Sequence, residues 1–152
     1  MSKKTVENKK RTRRRRARIM VFGTFDGLHE GHLNFFKQAR SLARDPYLIV
    51  SIARDKNVFK IKGKHSHNSE KVRMLLVKKS NLADKVVLSG VKNHIPHIVK
   101  EHPDIIALGY DQKAYVKNLK KDLKAKNLSV KIIRLKPYQE KIYKNHLLKN
   151  AR

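Results

Sequence analysis

Two histidines stand close together near the beginning of the chain, His29 and His32, with Gly31 between them. Each imidazole can donate a hydrogen bond, and each can carry a positive charge near neutral pH. Directed at one phosphorus atom, the two rings would stabilise the extra negative charge of a five-coordinate transition state. Phosphoryl-type transfer depends mainly on such positioning and charge stabilisation. The pair therefore predicts phosphate chemistry.

A histidine pair of this spacing also occurs in metal sites and by chance on protein surfaces. The chain has no Cys, and no Asp or Glu follows the pair at an obvious ligand spacing. We therefore expect no metal ion held by these histidines.

The segments around the histidines favour an anion-binding site. The apolar run Ile19–Phe22 predicts a buried parallel strand, which Gly23 ends. A loop with Gly27 follows, and apolar residues at helical spacing predict a helix that begins at Gly31. A helix beginning there directs its N–H groups and its positive end at a ligand. A generic glycine loop would explain the same glycines without a ligand. If the site binds phosphate, Gly31 lets it approach the backbone, because glycine has no Cβ.

The residues from Gly23 to His32 read Gly-Thr-Phe-Asp-Gly-Leu-His-Glu-Gly-His. This stretch resembles the signature of the cytidylyltransferase-like nucleotidyltransferases. In that superfamily the His-x-Gly-His element binds the α-phosphate of a nucleotide, and a nucleoside monophosphate moves to a phosphate-bearing acceptor with release of pyrophosphate. The resemblance implies that His29 and His32 are catalytic and that Mg²⁺ enters with the nucleotide. It also implies nucleotide contacts by a larger set: Gly23, Thr24, Phe25, Asp26 and Gly31.

Two more basic residues enter the prediction through sequence context. Lys62 lies in a polar segment that we predict to be a mobile loop, closing over the β- and γ-phosphates. The archaeal-type FAD synthases, which this chain resembles within the superfamily, have a similar segment. By themselves, two lysines among 38 basic residues favour no function. Arg73, in the stretch Glu70-Lys-Val-Arg, would by itself be a surface charge, but the resemblance places it near the phosphates.

A third group of predicted contacts follows the fourth apolar segment, at Gly109-Tyr-Asp-Gln112. Residues just beyond the carboxyl end of a parallel strand line the ligand crevice in α/β folds. Asp111 could accept hydrogen bonds from a ribose or an amine, or it could cap the next helix. The Gly-x-Asp-Gln pattern resembles the archaeal FAD synthases, which implies adenylyl transfer and nucleotide contacts by Gly109, Asp111 and Gln112. Tyr138 could stack on a base or merely cover the end of the sheet.

The end of the chain departs from the superfamily pattern. Members have a Ser/Thr-rich element at the beginning of the last helix, where hydroxyl and amide groups hold the triphosphate. Here the stretch reads Tyr143-Lys-Asn-His146. Lys144 would then supply positive charge to the nucleotide, and the departure leaves triphosphate affinity and turnover open.

Apolar segments alternate with segments of helical pattern along most of the chain. This alternation predicts an α/β fold, a Rossmann-like five-stranded parallel sheet with helices on both faces. Ser69 or Asn68 and Asn93 are the predicted caps of two of the helices. The helix after Ser69 is predicted to bear Val72, Leu75 and Leu76. The predicted strands are Ile19–Phe22, Tyr47–Ile52, a strand ending at Leu88, Ile105–Leu108 and Val130–Leu135.

The composition restricts the setting. A chain of 152 residues fits one domain. Without Cys there is no disulfide framework and no thiol chemistry. No apolar stretch approaches the ~20 residues of a membrane span, and no signal-peptide core is visible. We therefore expect a cytoplasmic protein without a membrane partner, and we also expect that it can form a homodimer.

The net charge of +26 is the unusual feature of the composition. Residues 1–18 hold ten Lys or Arg against one acid, Glu7. Residues 1–17 lack apolar periodicity, so we predict a disordered basic tail followed by a nucleotidyltransferase domain over residues 18–152. The tail could contact RNA or DNA by charge alone, or it could be a solvated arm without a partner.

Three functions remain open at this point. The first is adenylyl transfer from ATP to FMN, which makes FAD. The second is cytidylyl transfer from CTP to glycerol 3-phosphate or a similar phosphorylated alcohol. The third is a catalytically weakened relative that binds nucleic acid, which the charge and the missing Ser/Thr element favour. The intact pair of His29 and His32 argues against the third.

Overall fold

A computed structural model describes residues 15–90, 93–112 and 118–138 of the protein. In these residues strands and helices alternate, which confirms the predicted Rossmann-like α/β fold. The elements are β1 (Ala17–Gly23), α1 (Glu30–Arg40), β2 (Pro46–Ile52), α2 (Asp55–Lys62), α3 (Glu70–Lys79), β3 (Lys85–Leu88), α4 (His94–Glu101), β4 (Ile105–Leu108), α5 (Leu119–Ala125) and β5 (Lys131–Arg134).

The five strands form one sheet in the order β3-β2-β1-β4-β5, and every neighbouring pair is parallel. Central β1 pairs with β2 and β4, so Ile19 has Leu48 on one side and Ile105 on the other. Strands β2 and β3 extend the sheet on one side of β1, and β4 and β5 then extend it on the other side. In such sheets a crevice opens at the carboxyl ends of the two strands where the direction reverses, here β1 and β4.

Each face of the sheet has its own apolar core, because side chains alternate between the faces along a strand. On one face, Phe36 and Ala39 of α1 and Val77 of α3 pack on the sheet. On the other, Ile98 of α4 and Leu123 of α5 do so. The predicted helices on both faces are therefore confirmed, and α1 is held firmly where it carries the two histidines. No helix in the described residues is long and apolar enough to cross a membrane.

One prediction fails between β2 and α3. The predicted mobile loop instead contains helix α2, which ends at Gly63 in a left-handed conformation, φ +73°. Only Val58 of this helix is buried, while Phe59 and Ile61 are exposed. The sequence of this helix therefore has little apolar periodicity from which to predict it. The available signal was Gly63, because glycine commonly ends a helix. Lys62 lies in its last turn.

The apolar face predicted for α3 is also wrong. Ser69 caps the helix as predicted. However, Val72 and Leu75 are largely exposed, and the helix buries Arg73 and Val77 instead. The helix is turned so that the guanidinium of Arg73 enters the protein, where backbone carbonyl groups need a donor.

The folded part of the chain begins earlier than Ile19. Strand β1 includes Ala17, whose N–H donates to the carbonyl of Asp45. Before it, Arg15 pairs with Asp104 at 2.9 Å and Arg16 pairs with Asp45 at 3.2 Å. These residues belong to the segment that was predicted to be a tail. Its remainder, residues 1–14, lies outside the described residues.

Candidate active site

A crevice of about 1250 Å³ opens at the carboxyl ends of β1 and β4. Its wall includes eleven of the predicted site residues: Gly23, Thr24, Phe25, Asp26, His29, Gly31, His32, Lys62, Gly109, Asp111 and Gln112. Arg73 is not part of this wall, and Lys144 lies outside the described residues. The crevice thus brings together most of the residues that the sequence indicated.

The two histidines begin helix α1 together. His29 is the N-cap residue, and its Nδ1 accepts from the backbone N–H of Gly31 at 3.0 Å. Nδ1 of His32 accepts from the backbone N–H of His29 at 3.4 Å. The two rings are stacked, with centroids 3.8 Å apart and planes 24° apart. This is a capping box made of imidazoles, so the start of the helix and the position of both rings depend on each other.

These hydrogen bonds determine which nitrogen carries the proton. A neutral imidazole has one donor nitrogen and one acceptor nitrogen. Because Nδ1 of His29 and of His32 accepts a backbone hydrogen bond, the proton of each neutral ring lies on Nε2. The pair therefore presents Nε2–H donors, fixed in orientation by the helix they cap.

His32 is neutral at physiological pH. Its pKa falls from 6.5 to about 4, chiefly because burial disfavours the charged ring and also because His29 is close. Hydrogen bonding with the backbone of Gly27 acts in the opposite direction. The expectation that each histidine can be cationic near neutral pH is thus corrected for His32. The edge of the Phe25 ring, 5.3 Å away between centroids, contributes to its apolar surroundings.

The glycines of the motif make room for neighbouring side chains of the protein. A Cβ on Gly23 would lie 2.6 Å from Cζ of Phe25, and one on Gly31 would lie 2.8 Å from Cε1 of His29. Phe25 itself is buried, and its backbone has φ +53°, a conformation that residues other than glycine rarely adopt. The N–H of Gly31 already donates to His29. Gly31 therefore makes room for the histidine ring first, where the sequence indicated room for a phosphate.

Two charged residues fix the loop between β1 and α1 to the segment before α3. The carboxylate of Asp26 accepts from the backbone N–H groups of His67 at 2.6 Å and Asn68 at 2.8 Å. Burial raises the pKa of Asp26, but these hydrogen bonds outweigh it, and the net pKa is lowered. Asp26 thus lines the crevice with both oxygens already engaged.

Arg73 completes this connection from inside the protein. It is fully buried, and its guanidinium donates to the carbonyl groups of Thr24, Ala53 and Asn68 and to the carboxylate of Asp55. These contacts are 2.6 to 3.0 Å long. The structure therefore keeps Arg73 out of the crevice, where it holds the loop whose residues form the wall.

Similar braces hold the loop after β4. The side-chain amide of Gln112 donates to the carbonyl of Phe22 at 2.9 Å and accepts from the N–H of Gly109 at 2.7 Å. Nη1 of Arg134 donates to the carbonyls of Gly109 and Gln112, 2.7 and 2.8 Å away. Gln112 therefore joins the ends of β1 and β4, and Arg134 shapes the loop that presents Asp111.

Sequence reasoning missed a further clamp between α1 and the segment after β5. The amide of Gln38 accepts from the N–H of Lys136 at 3.1 Å and donates to its carbonyl at 2.8 Å. Both residues line the crevice, as does Tyr138. The available signal was that Gln38 lies seven residues, or about two turns, after Gly31 on the same helix, which places both on the side of the crevice.

The described residues contain no group of three or more His, Cys, Asp or Glu side chains that could hold a metal ion. Asp26 is occupied by backbone groups, which leaves Glu30 and Asp111 as the other carboxylates of the crevice wall. Mg²⁺ is typically bound by phosphate oxygens, water and one or two carboxylates. This wall therefore suits a magnesium ion that enters on a nucleotide.

The sequence matches a known family over most of its length. A sequence model of the family described as Cytidylyltransferase-like matches residues 20–147. The chain belongs to the cytidylyltransferase-like family. The identification made from Gly23 to His32 is thereby confirmed, and the crevice lies where this family's signature begins helix α1.

Individual proteins are similar to this chain over most of their length. The FAD synthase of Korarchaeum cryptofilum is 44% identical over 119 residues, which are 78% of this chain and 80% of that protein. The FAD synthase of Thermococcus sibiricus is 41% identical over 143 residues, 93% of this chain and 92% of that protein. A crystal structure of the lipopolysaccharide core biosynthesis protein from Thermoplasma volcanium superposes with a TM-score of 0.73 at 32% identity, over 80% of this chain and 98% of that one.

Proposed function

We propose that the protein is an adenylyltransferase that joins the AMP part of ATP to FMN, making FAD and pyrophosphate. The observation that carries the proposal is the stacked pair of His29 and His32 in the wall of a large crevice. Relatives named FAD synthase, 41–44% identical over most of this chain, support FAD as the product. The predicted site residues that line the crevice keep their predicted roles as part of this proposal, whereas the buried Arg73 braces the loop after β1.

In the proposed reaction, a phosphate oxygen of FMN attacks the α-phosphorus of ATP. A new P–O bond forms, the bond between the α-phosphorus and the bridging oxygen breaks, and pyrophosphate leaves with that electron pair. A phosphomonoester is already ionised at neutral pH, so the protein does not have to supply a strong base. His29 and His32 donate through Nε2–H to the α-phosphate oxygens and stabilise the charge that develops there.

The remaining residues of the wall hold the two substrates. Lys62 and Lys136 are the lysines that line the crevice, and they attract the phosphate groups. Asp111, on the loop that Arg134 shapes, accepts hydrogen bonds from the nucleoside. Glu30 or Asp111 of the crevice wall would help to hold a Mg²⁺ ion that arrives on the triphosphate, and the ion would supply charge neutralisation for the departing pyrophosphate. Lys144 would add positive charge to the same end of the nucleotide.

A substrate matrix tests the proposal. The purified protein is incubated with Mg²⁺ and each pairing of ATP or CTP with FMN or glycerol 3-phosphate, and pyrophosphate release is followed. Chromatography identifies the joined product. We expect turnover with ATP and FMN only, and FAD as the product.

The other outcomes separate the alternative functions. Turnover with CTP and glycerol 3-phosphate would make the protein a cytidylyltransferase and would contradict FAD formation. No pyrophosphate release with any pairing, from protein that still binds ATP, would indicate a catalytically weakened relative. The Lys144 stretch in place of the Ser/Thr element favours slow turnover, so the assay needs enough enzyme to detect about one turnover per active site.

Nucleic-acid contact and a homodimer stand as further proposals for this protein. The net charge of +26 supports the first. A homodimer would leave the crevice complete within one chain, because β1, β4, their loops, α1, Lys62 and the segment after β5 of the same chain form its described wall. Sedimentation at two protein concentrations tests the homodimer.

A further inference from the structure

A chain of hydrogen bonds runs from the segment after β5 to helix α1 in the wall of the crevice. The side-chain amide of Gln38 contacts both backbone groups of Lys136 and the side chain of Asn34. Asn34 and Gln38 lie four residues apart on the same side of α1, and all three residues line the crevice. Each contact in this chain determines which atom donates in the next.

Lys136 determines which way the amide of Gln38 points. A backbone N–H group only donates, and a backbone carbonyl only accepts. The atom that accepts from the N–H of Lys136, 3.1 Å away, must therefore be Oε1 of Gln38. The atom that donates to the carbonyl of Lys136, 2.8 Å away, must be Nε2. The backbone thus sets the orientation of this amide.

Gln38 in turn determines which way the amide of Asn34 points. Nε2 of Gln38 only donates, so the atom of Asn34 that it contacts at 2.7 Å must be Oδ1. Both N–H groups and the oxygen of the Gln38 amide are then engaged within the protein. Nδ2 of Asn34 keeps two N–H donors and forms no hydrogen bond with any described residue. Asn34 therefore holds unused donors of fixed orientation in the crevice wall.

The surroundings of Asn34 suit a flat ring. Phe35, the next residue of α1, lines the crevice. Pro137 and Tyr138 also line it, and they belong to the segment that Gln38 holds against α1. Apolar surface from two segments, together with a few placed polar groups, is the usual composition of a site that binds and orients a heterocycle. The part of the crevice beside Asn34 has this composition.

The order of the strands indicates which ring lies there. Strands β4 and β5 lie on one side of β1, and β2 lies on the other. Asp111, which accepts from the nucleoside in the proposed reaction, follows β4, and Tyr138 follows the neighbouring β5. Lys62 belongs to the helix after β2, on the opposite side. The ring beside Asn34 is therefore the base of the nucleotide, and the flavin ring of FMN lies elsewhere in the crevice.

The base would also be close to the histidines. Asn34 lies three residues after Gly31, which is about one helical turn, and Gly31 lies between His29 and His32. A nucleotide whose α-phosphate contacts the two rings thus has its nucleoside beside the next turn of α1.

We propose that Nδ2 of Asn34 donates a hydrogen bond to a ring nitrogen of the adenine of ATP, and that Gln38 is the positioning residue that fixes this donor. The ring nitrogens N1, N3 and N7 of adenine accept hydrogen bonds, whereas its exocyclic amine donates. The inference rests on the proposed adenylyl transfer, because it requires ATP in the crevice.

ATP analogues that each lack one ring nitrogen test this contact. In 1-deaza-ATP, 3-deaza-ATP and 7-deaza-ATP a C–H group replaces one acceptor. Isothermal titration calorimetry gives the Kd of ATP and of each analogue for the wild type and for Asn34→Ala. In the wild type, we expect one analogue to bind about five- to tenfold more weakly than ATP, which corresponds to the loss of one hydrogen bond. Asn34→Ala should bind ATP and this analogue equally.

Gln38→Glu tests the positioning role. The carboxylate still accepts from the N–H of Lys136 but has no donor for Oδ1 of Asn34, so the amide of Asn34 turns and donates to the carboxylate instead. We expect this variant to lose the difference between ATP and the analogue, although Asn34 is intact. The matched control is Lys37→Gln, an exposed neighbour on α1 whose substitution also lowers the net charge by one. It should keep the difference, and thermal melting verifies that all variants fold.

Four results would overturn the inference. The first is a wild type that binds all three analogues as tightly as ATP, and the second is Asn34→Ala with the full preference for ATP. The third is a raised KM for FMN with an unchanged Kd for ATP in Asn34→Ala, since the flavin ring would then lie beside Asn34. The fourth is a wild type that does not bind ATP.

Failure of the proposed function would look different. A wild type that binds ATP with the expected preference over one analogue, but forms no FAD, would support the adenine contact and contradict the assignment of FMN as acceptor.

Discussion

The two edges of the sheet use their polar residues in opposite ways. At the amino edge, where the strands begin, charged side chains bind one another or the backbone. Asp104, for example, binds Arg15 and the N–H of Arg18. At the carboxyl edge, where the strands end, His29 and His32 use Nδ1 to begin a helix and line the crevice. The amino edge therefore stabilises the fold, and the carboxyl edge holds a few groups in place for a ligand.

Contacts within the protein maintain the shape of the crevice. Its wall is braced by residues whose polar atoms are engaged: Arg73 holds the loop after β1, and Gln112 and Arg134 hold the loop after β4. Catalysis therefore depends on the few crevice residues that are not engaged as braces. Loss of a brace should thus affect stability, and loss of a histidine should affect catalysis.

The largest expected effect is on turnover by His32→Ala. Removal of one donor to a developing charge typically lowers kcat by about 10²–10³, and we expect this loss in FAD formation from protein that still folds, although the N–H of His29 loses its acceptor. The matched control is His102→Asn, which removes a histidine from the amino edge at a left-handed position that Asn tolerates. Similar losses in both variants would remove the distinction between the edges.

His29→Asn separates the two tasks of His29. Asn is a good N-cap residue, so the helix should begin normally, and stability should change by less than about 1 kcal/mol. The Nε2–H donor is gone, so kcat should still fall by about 10². Full activity in this variant would mean that His29 only caps the helix.

Arg73→Met should lower the free energy of unfolding by about 3 kcal/mol. The substitution keeps a long side chain in a fully buried position but leaves the carbonyls of Thr24, Ala53 and Asn68 without their donor. Denaturant unfolding measures the change, and Val72→Met on the exposed side of the same helix is the control. An unchanged free energy of unfolding together with a raised KM for ATP would instead show that Arg73 contacts phosphate.

Asp104→Ala should cost about 1 kcal/mol of stability and leave kcat unchanged. It removes the partner of the largely exposed Arg15 and the acceptor for the N–H of Arg18. Denaturant unfolding and the FAD assay give the two values. A fall in kcat comparable to that of His32→Ala would contradict the separation of the two edges.

The smallest expected effect is a difference between the edges in pH dependence. The pKa of His32 is lowered to about 4, so between pH 6.5 and about 4 the unfolded chain binds a proton that the folded chain does not. Its contribution to stability is therefore complete above pH 6.5 and is lost as pH falls towards 4. Comparison of the free energy of unfolding at pH 7 and pH 5 should show a smaller decrease for His32→Gln than for the wild type.

The amino edge should lose stability in a lower pH range. Partial burial raises the pKa values of Asp84 and Asp104, but bonds from Arg40, Arg15 and backbone N–H groups lower them below 3.8 overall. Their contribution is present above that value and is lost as pH falls further. A decrease confined to pH below 4 in the wild type would contradict the lowered pKa of His32.

The sequence was sufficient to predict the sheet and the central part of the site. Strand β4 has the predicted bounds, Ile105–Leu108, because its apolar run ends abruptly on both sides. The histidines lie where predicted, because a strand, a glycine loop and a helix follow one another within a few residues and allow few arrangements.

The rest depended on contacts between distant residues. Helix α2 was not predicted because Val58 is its only buried residue. The orientation of α3 was predicted wrongly because a buried arginine is rare. Arg73 is paired with carbonyls up to 49 positions away, and Gln38 with Lys136, 98 positions away. No local pattern in the sequence contains such partners.

Histidine ¹⁵N NMR with and without ATP is the most direct test of the role of the two rings. At neutral pH we expect His32 to be protonated on Nε2 and not on Nδ1, and we expect the Nε2 signals of both histidines to shift when ATP binds. A signal that shows a protonated Nδ1 of His32 in the free protein, or Nε2 signals that do not respond to saturating ATP, would contradict this role.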